Sequence, residues 1–466
     1  MNWTEKIFGT SGLKPDQIVG PIPATKDIVK RTFTIAWPSA TEAVLISLIG
    51  AVDMMMVGQL GAGAIASVGI TNQPKFILFS VIIALNIGLT VIVSRRKGQK
   101  DAASANLLVR NAIVISTLIS AFFNTVGYIY APQILKFSGA SADYIDTSVI
   151  YFRIVLIGMF FYSIGSTITA AQRGAGNTKI SMKTNISANV VNVIFNFLLI
   201  NGIWIFPRWG VMGAAVATTM GNVVAFLIAI RSASTKDGFL SLSFKQDWRL
   251  HKATILSLFN ISKSALVEQI FLRIGFFTYV LAIAGLGTIA FATHQVVMNV
   301  MTISFAVGDG LSIACSSLVG QSLGAKRPDL AIIYGKTSQR IGFLIAIGLG
   351  LLIAVFRVEI ISLFNKDPQI ISSGSAIMLI LAVIMLFQIA QVITIGSLRG
   401  AGDVKFVAYI SLISVTIIRP LLTYIFAYPL GLGLTGAWLS VLLDQGLRYV
   451  IGKWRFAQAK WTRIEV

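Results

Sequence analysis

The chain reads as an all-α membrane protein of about twelve transmembrane helices, in two six-helix lobes related by a pseudo-two-fold axis along the membrane normal. Three observations predict this. Of 466 residues, 55% are hydrophobic and 12% charged, against about 25% charged in an ordinary globular chain. The apolar runs are long enough for a bilayer, which asks for roughly 20 residues per helix. Phrases of the first half also recur, in order, in the second, which is the mark of duplication.

The first span starts near Thr32 and runs to about Val57, carrying only Glu42 and Asp53 as charges. Five more follow from near Thr71, Asn106, Thr147, Ser181 and Gly213. Each is bounded by a loop that gathers Gly, Pro or charge. The second set starts near Thr254, Phe291, Ile332, Gly374, Phe406 and Thr435. In hydrocarbon the backbone must satisfy its own hydrogen bonds, so each run is expected as a helix. Between the sets lies the longest polar stretch, SASTKDGFLSLSFKQDWRL (232–250). The expected organisation is a cytoplasmic N-terminal segment 1–30, an amino lobe 31–231, a linker 232–252, a carboxyl lobe 253–457 and a tail 458–466. The first thirty residues hold Pro15, Pro21 and Pro23 and no apolar stretch of signal-peptide type, so no cleaved leader is expected.

The duplication is clearest in RGAG, which occurs at Arg173-Gly174-Ala175-Gly176 and, 226 residues on, at Arg399-Gly400-Ala401-Gly402. Glu42 falls on Glu268 and Leu60-Gly61 on Leu286-Gly287 at the same offset. Asn72-Gln73 meets His294-Gln295 at 222, and Gly213-Ala-Ala215 meets Gly436-Ala-Trp438 at 223. Six spans per half is an even number, so both copies enter the membrane in the same direction, a known transporter design. RGAG is expected as a cytoplasmic helix end: glycine permits the tight turn, and arginine holds a lipid phosphate or a neighbouring helix terminus.

The formal net charge is +20. Its placement excludes a nucleic-acid surface. Lys and Arg gather before span one, after each even-numbered span and in the tail, whereas the alternate loops hold little beyond Lys75, Lys136, Arg208, Arg357 and Lys366. This positive-inside bias predicts cytoplasmic termini for a multi-pass protein, with basic loops against anionic lipid headgroups; the plasma membrane is its expected location. One cysteine, Cys315, and two histidines, His251 and His294, argue against disulfides, metal clusters and haem. Nothing resembles a nucleophile–base pair, a metal-ligand spacing or a phosphate loop, so neither an enzyme nor a resident cofactor is expected. A receptor or enzyme is the reading from another class.

A charge at the centre of a membrane helix costs about 2.5–3.5 kcal/mol on insertion scales. Buried acids therefore mark wet cavities, ion pairs or sites of coupling ions. Glu42 and Glu268 recur at the repeat offset, and each reads either as a carboxylate for a cationic substrate or proton, or as a helix-start residue bonding nearby amides. Asp53 has no acidic twin, because Tyr279 stands at its offset. Asn189, Asn192 and Asn196 lie on one face of span five, either as cross-helix hydrogen bonders or as oxygens beside Asp53. Arg153, Arg273 and Arg419 are expected to neutralise acids such as Asp309 or Asp444. Alternatively, they keep open an anionic cargo and a lipid-linked oligosaccharide flippase.

Val52-Asp53…Val57-Gly58-Gln59-Leu60-Gly61, Asn72-Gln73, GTIAFATHQ, VGQSLGA, both RGAG phrases, GAAVAT and RFAQAKW together resemble the multidrug and toxic compound extrusion (MATE) family of the MOP flippase superfamily, over about residues 30–461. The resemblance implies a secondary transporter of two six-helix lobes that exports cationic, amphipathic compounds in exchange for H⁺ or Na⁺. It implies an ion-coupling role for Asp53, with a possible Na⁺ there, together with Asn192, Thr218 and Asn196, although Asn196 stands where one branch of the family has an aspartate. Glu268 matches a seventh-span glutamate, and Gln388 replaces a span-ten acid. With Glu42 and His294, these two are the candidate substrate or proton groups. Small-molecule substrates and membrane lipids are the expected partners of a monomer.

Overall fold

The structure is a computed structural model that describes residues 13, 18–235, 238–243, 245–365 and 367–465. Lys236, Lys366 and most of the segment before Ile18 lie outside the described residues. Among the described residues there is no strand. In the first repeat the helices are α1 (Thr25–Gly58), α2 (Ala62–Ile70), α3 (Asn72–Gly98), α4 (Ala102–Ile129), α5 (Ala131–Phe137), α6 (Ile145–Gly174), α7 (Thr178–Asn201) and α8 (Val211–Ala233). In the second they are α9 (Lys252–Ala284), α10 (Thr288–Gly324), α11 (Pro328–Val355), α12 (Arg357–Phe364), α13 (Pro368–Gly400), α14 (Val404–Ser411), a π-helix (Leu412–Ile418), α15 (Arg419–Ala427) and α16 (Gly433–Ala457). The short connecting helices α5 and α12 begin 226 residues apart, so the duplication extends to the loops.

Eleven helical segments are long and apolar enough to cross a bilayer. Two of them are composite: α2 with α3, and α14 with the π-helix and α15. The twelfth, α16, is long enough, but Asp444, Gln445 and Arg448 in its middle lower its apolar character. Those residues are buried rather than turned to lipid, the usual place for charged groups within a membrane helix.

Contacts divide the chain into two compact units. One is Val44–Leu266; the other joins the residues up to Ala43 to Val267–Val466. The division differs from the sequence boundaries 31–231 and 253–457, because the long first helix of each repeat changes unit partway, α1 after Ala43 and α9 after Leu266. These are nearly equivalent repeat positions. The cause is packing. Ile28, Ile35 and Ala36 of α1 are buried in one cluster with Leu311, Leu318, Ile393 and Val407. Arg31 bonds Gln321 at 3.2 Å, and Arg327 bonds the Pro21 carbonyl at 2.9 Å. Pro38, which removes one bond from the helix ladder, lies inside α1 just before the transfer.

The stretch after α8 is more than a connector. One face of α4 presents Asn106, Arg110 and Asn111, and these hold it along its length. Asn106 Oδ1 accepts from the Ser241 amide at 2.8 Å, Arg110 donates to the Asp247 carbonyl at 2.8 Å and to Gln246 Oε1 at 2.7 Å, and Asn111 Oδ1 accepts from the His251 amide at 2.8 Å. Lys97 lies 4.3 Å over the Phe239 ring. Asn106 and Arg110, at i and i+4, are neighbours on one helix face, and Asn111 extends the hold around the helix, which is why α4 can carry the linker as a strap.

Candidate functional site

In the unit Val44–Leu266 three helices bring polar groups to one point. Asp53 lies on the second half of α1, Asn192 and Asn196 lie one turn apart on α7, and Thr218 lies on α8. The Asn196 amide donates to Asp53 Oδ1. Asn192 Nδ2 donates to Thr218 Oγ1 at 3.2 Å, and the threonine hydroxyl donates onward to the Ala214 carbonyl at 3.0 Å. Asn192 and Asn196 are buried, and Asn196 Oδ1 has no partner among the described residues. A cavity of about 200 Å³ opens beside them, lined by Ile46, Gly50, Asp53, Asn189, Asn192, Thr218 and Gly221 among others. Gly221 sets how closely α7 and α8 approach, since a Cβ there would stand 2.6 Å from the Ala188 carbonyl oxygen. Small residues permit such contacts in membranes, where packing rather than apolar transfer holds helices together.

From the charge pattern, Lys75 is expected in an outer loop. It lies instead on α3, 5.4 Å over the ring of buried Tyr151 and within electrostatic reach of Asp53. The signal available in the sequence was its position just after Asn72-Gln73-Pro74, at the start of a helix rather than before it. A carboxylate bonded by an amide, open to a small cavity and near an ammonium, can exchange a proton or a cation. Its charge is stabilised without an arginine locked onto it.

The carboxyl-side candidates do not gather into one site. Glu268, on α9, is buried; its Oε1 accepts from Arg399 and, at 3.3 Å, from Ser411. Its Oε2 has no hydrogen-bond partner among the described residues. Two features read separately from the sequence, the span-seven acid and the second RGAG arginine, are thus one ion pair. Gln388 accepts from Ser304 at 3.0 Å. His294 stands among rings, with the centroids of Tyr279 and Trp438 each 5.5 Å away. Neither Gln388 nor His294 is hydrogen-bonded to Glu268 among the described residues. Glu42 is buried and falls in the unit of the carboxyl repeat, whereas Asp53 falls in the other.

Both RGAG phrases end helices, as expected. α6 stops at Gly174 and α13 at Gly400, and Gly176 and Gly402 take φ of 87° and 89°, left-handed values that favour glycine. The arginines differ: Arg173 donates to Ser181 Oγ at 2.8 Å, while Arg399 takes Glu268. Of the other membrane arginines, Arg153 bonds the Tyr128 carbonyl at 3.1 Å, and Arg419 is buried in an ion pair with Asp444. Asp309 is exposed on α10.

The sequence model of the MatE family matches residues 38–198 and matches again at 265–425, which reproduces the duplication. An uncharacterized transporter, YisQ, of Bacillus subtilis is 28% identical over 98% of this chain and 99% of its own. A probable multidrug resistance protein NorM of Thermotoga maritima is 26% identical over 95% of each chain. Among solved structures, an outward-facing conformation of a multidrug resistance MATE family transporter superposes with a TM-score of 0.87 at 18% identity, over 93% of this chain and 97% of that one. A MOP superfamily transporter from Pyrococcus furiosus, described as having a binding pocket of reversed polarity, gives 0.85 at 18%. These structures share the fold of twelve helices in two lobes. The chain is a multi-pass membrane protein, a transporter rather than an enzyme, and it belongs to the MatE family.

Proposed function

We propose that the protein is a secondary exporter that exchanges cationic or amphipathic compounds for a coupling cation. It works by alternating access between its two repeats, from the plasma membrane, as a monomer with both termini in the cytoplasm. The observation that carries this reading is the Asp53 site: an acid at membrane depth, bonded by the Asn196 amide and opening on a cavity of about 200 Å³. The names of the relatives, a probable multidrug resistance protein among them, support the substrate class. Lys75, within electrostatic reach of Asp53, supports H⁺ over Na⁺ as the coupling ion, because a cationic side chain near the carboxylate opposes the binding of a metal ion there. The unpartnered Asn196 oxygen supports Na⁺, so both ions belong in the test. Arg153 and Arg419 are held by Tyr128 and Asp444, which leaves fewer cationic groups for the anionic cargo of a flippase.

Exchange needs unequal affinities: ion and substrate shift the equilibrium between states only by their differential binding. In proteoliposomes, efflux of a fluorescent organic cation such as ethidium is expected to collapse when the H⁺ gradient, or failing that the Na⁺ gradient, is dissipated on its own. Asp53→Asn is expected to reduce ion-driven efflux to that of empty liposomes with expression unchanged. Efflux indifferent to both gradients would refute the antiport reading.

A further inference from the structure

The carboxyl repeat has its own version of the point where Asp53, Asn192 and Gly221 meet, and the chemistry there is rearranged. At the repeat offsets Phe276 stands for Gly50, Tyr279 for Asp53 and Asp444 for Gly221. Arg419 stands for Asn192 once the π-helix is counted, since an i→i+5 turn takes up one more residue than an α-helical turn. Packing records the shift. Before the π-helix Gly174 lies on Thr90 and Gly400 on Ser316, 226 apart in both partners, so the register on these helices is 226 and not the 222 read from Asn72-Gln73 and His294-Gln295. Beyond it Gly213 lies on Leu199 and Gly436 on Phe426, and Phe426 is 227 past Leu199.

Where the amino repeat holds a cavity, the carboxyl repeat holds a guanidinium. Arg419 is 1% exposed and Asp444 0%. Arg419 Nε donates to Asp444 Oδ2 at 3.0 Å, and Nη2 donates to the same oxygen. The guanidinium carbon lies 5.1 Å from the centroid of the Phe276 ring and 5.8 Å from that of Tyr279, within the range of a cation–π contact. Ser414 donates to the other carboxylate oxygen, and Arg448 reaches Oδ2 at 3.2 Å. The acid has moved from the first helix of the repeat to the last, and an aromatic ring fills its former place.

We propose that Asp444, Phe276 and Tyr279 form a guanidinium-recognition site, a closed twin of the Asp53 cavity that the chain's own Arg419 occupies, which leaves Asp53 as the exchangeable member of the pair. The clause about exchange rests on the antiport reading; the site itself does not. Removing the guanidinium by Arg419→Ala opens a place for a small planar cation of the same chemistry. In the purified full-length protein, Arg419→Ala is expected to melt several degrees below wild type. Millimolar methylguanidinium is expected to restore most of that loss, and uncharged N-methylurea none. Wild type is expected to show no response, and Arg419→Ala combined with Asp444→Asn to lose it. Equal effects of methylguanidinium and N-methylurea on Arg419→Ala, or an equal response from wild type, would overturn the site. If Arg419→Ala does not fold, the charge-balanced double variant Arg419→Gln, Asp444→Asn decides. In proteoliposomes it is expected to keep the wild-type ratio of ions to substrate, and a fall in that ratio would show an exchangeable ion at Asp444. Failure of the antiport reading looks different: wild type itself would show no ion-driven efflux, while the melting shifts would stand.

Discussion

Asn196 holds the Asp53 carboxylate, and its side chain also touches Asn192, so one amide ties the α1 acid to the α7 face. A hydrogen bond to a charged group contributes about 1.5–3 kcal/mol, and 1.4 kcal/mol is a factor of ten. Asn196→Ala is therefore expected to weaken the ion dependence of efflux roughly tenfold or more while leaving the helices folded, as read by circular dichroism and efflux rates across an ion titration. An unchanged titration would separate Asn196 from the site. Amide spacing on one helix face and an unmatched acid made a meeting of Asp53 with the Asn192–Asn196 face one of two readings open from the sequence, while Thr218 was marked only by the family resemblance. The partners of the arginines were not legible. Asp444 takes Arg419 across 25 residues and Glu268 takes Arg399 across 131, and an apolar sequence gives no periodicity that pairs charges on different helices. The equivalence of Arg419 and Asn192 was hidden further: a one-residue π insertion inside an apolar run leaves no mark on hydropathy.

Among the elements, α4 does two jobs: it spans the membrane and it carries the strap. Its start is fixed by Asp101, whose carboxylate accepts from the Ser104 amide at 3.0 Å as an N-cap. The bonds to Ser104 hold the Asp101 carboxyl below its ordinary value. A depressed acid contributes stability that is full above the unfolded value, about 3.9, and is lost as pH falls through the folded one. An N-cap of this kind contributes about 1 kcal/mol, so Asp101→Ala is expected to speed amide exchange over the first turn of α4 about fivefold at neutral pH. The difference from wild type should vanish as pH drops below the carboxylate range. Farther along, Arg110 and Asn111 hold the linker at Asp247, Gln246 and His251. Arg110→Ala with Asn111→Ala is expected to expose residues 239–251 to protease while the spans stay protected; an equally resistant linker would mean that the strap is held elsewhere. The sequence marked this stretch as polar and as a boundary, and the composition of α4 gave no sign that it would be bound along its length.

At the scale of the whole molecule, the duplication and the compact units do not coincide, and the difference has a consequence for folding. Six apolar runs per repeat and matching phrases made the twelve-helix plan readable from sequence alone. The transfer of each repeat's first helix was not readable, because a continuous amphiphile such as α1 has the same hydropathy whichever bundle it packs in. Residues up to Ala43 belong with Val267–Val466. Without them the second unit loses Ile28, Ile35 and Ala36 from its buried cluster and leaves Gln321, Tyr334 and the Arg327 guanidinium without the contacts that Arg31 and Pro21 supply. In a membrane that loss falls on packing and polar contacts, the forces that associate helices there. A carboxyl fragment cut within the linker, residues 238–466, is therefore expected to extract poorly and run polydisperse when expressed alone. Co-expression with residues 1–235 is expected to give a monodisperse complex that retains ion-driven efflux. A fragment of residues 238–466 that is stable and monodisperse by itself would show that the first half of α1 is not part of that folding unit. Adding residues 18–43 in trans as a peptide should then change neither its melting temperature nor its size.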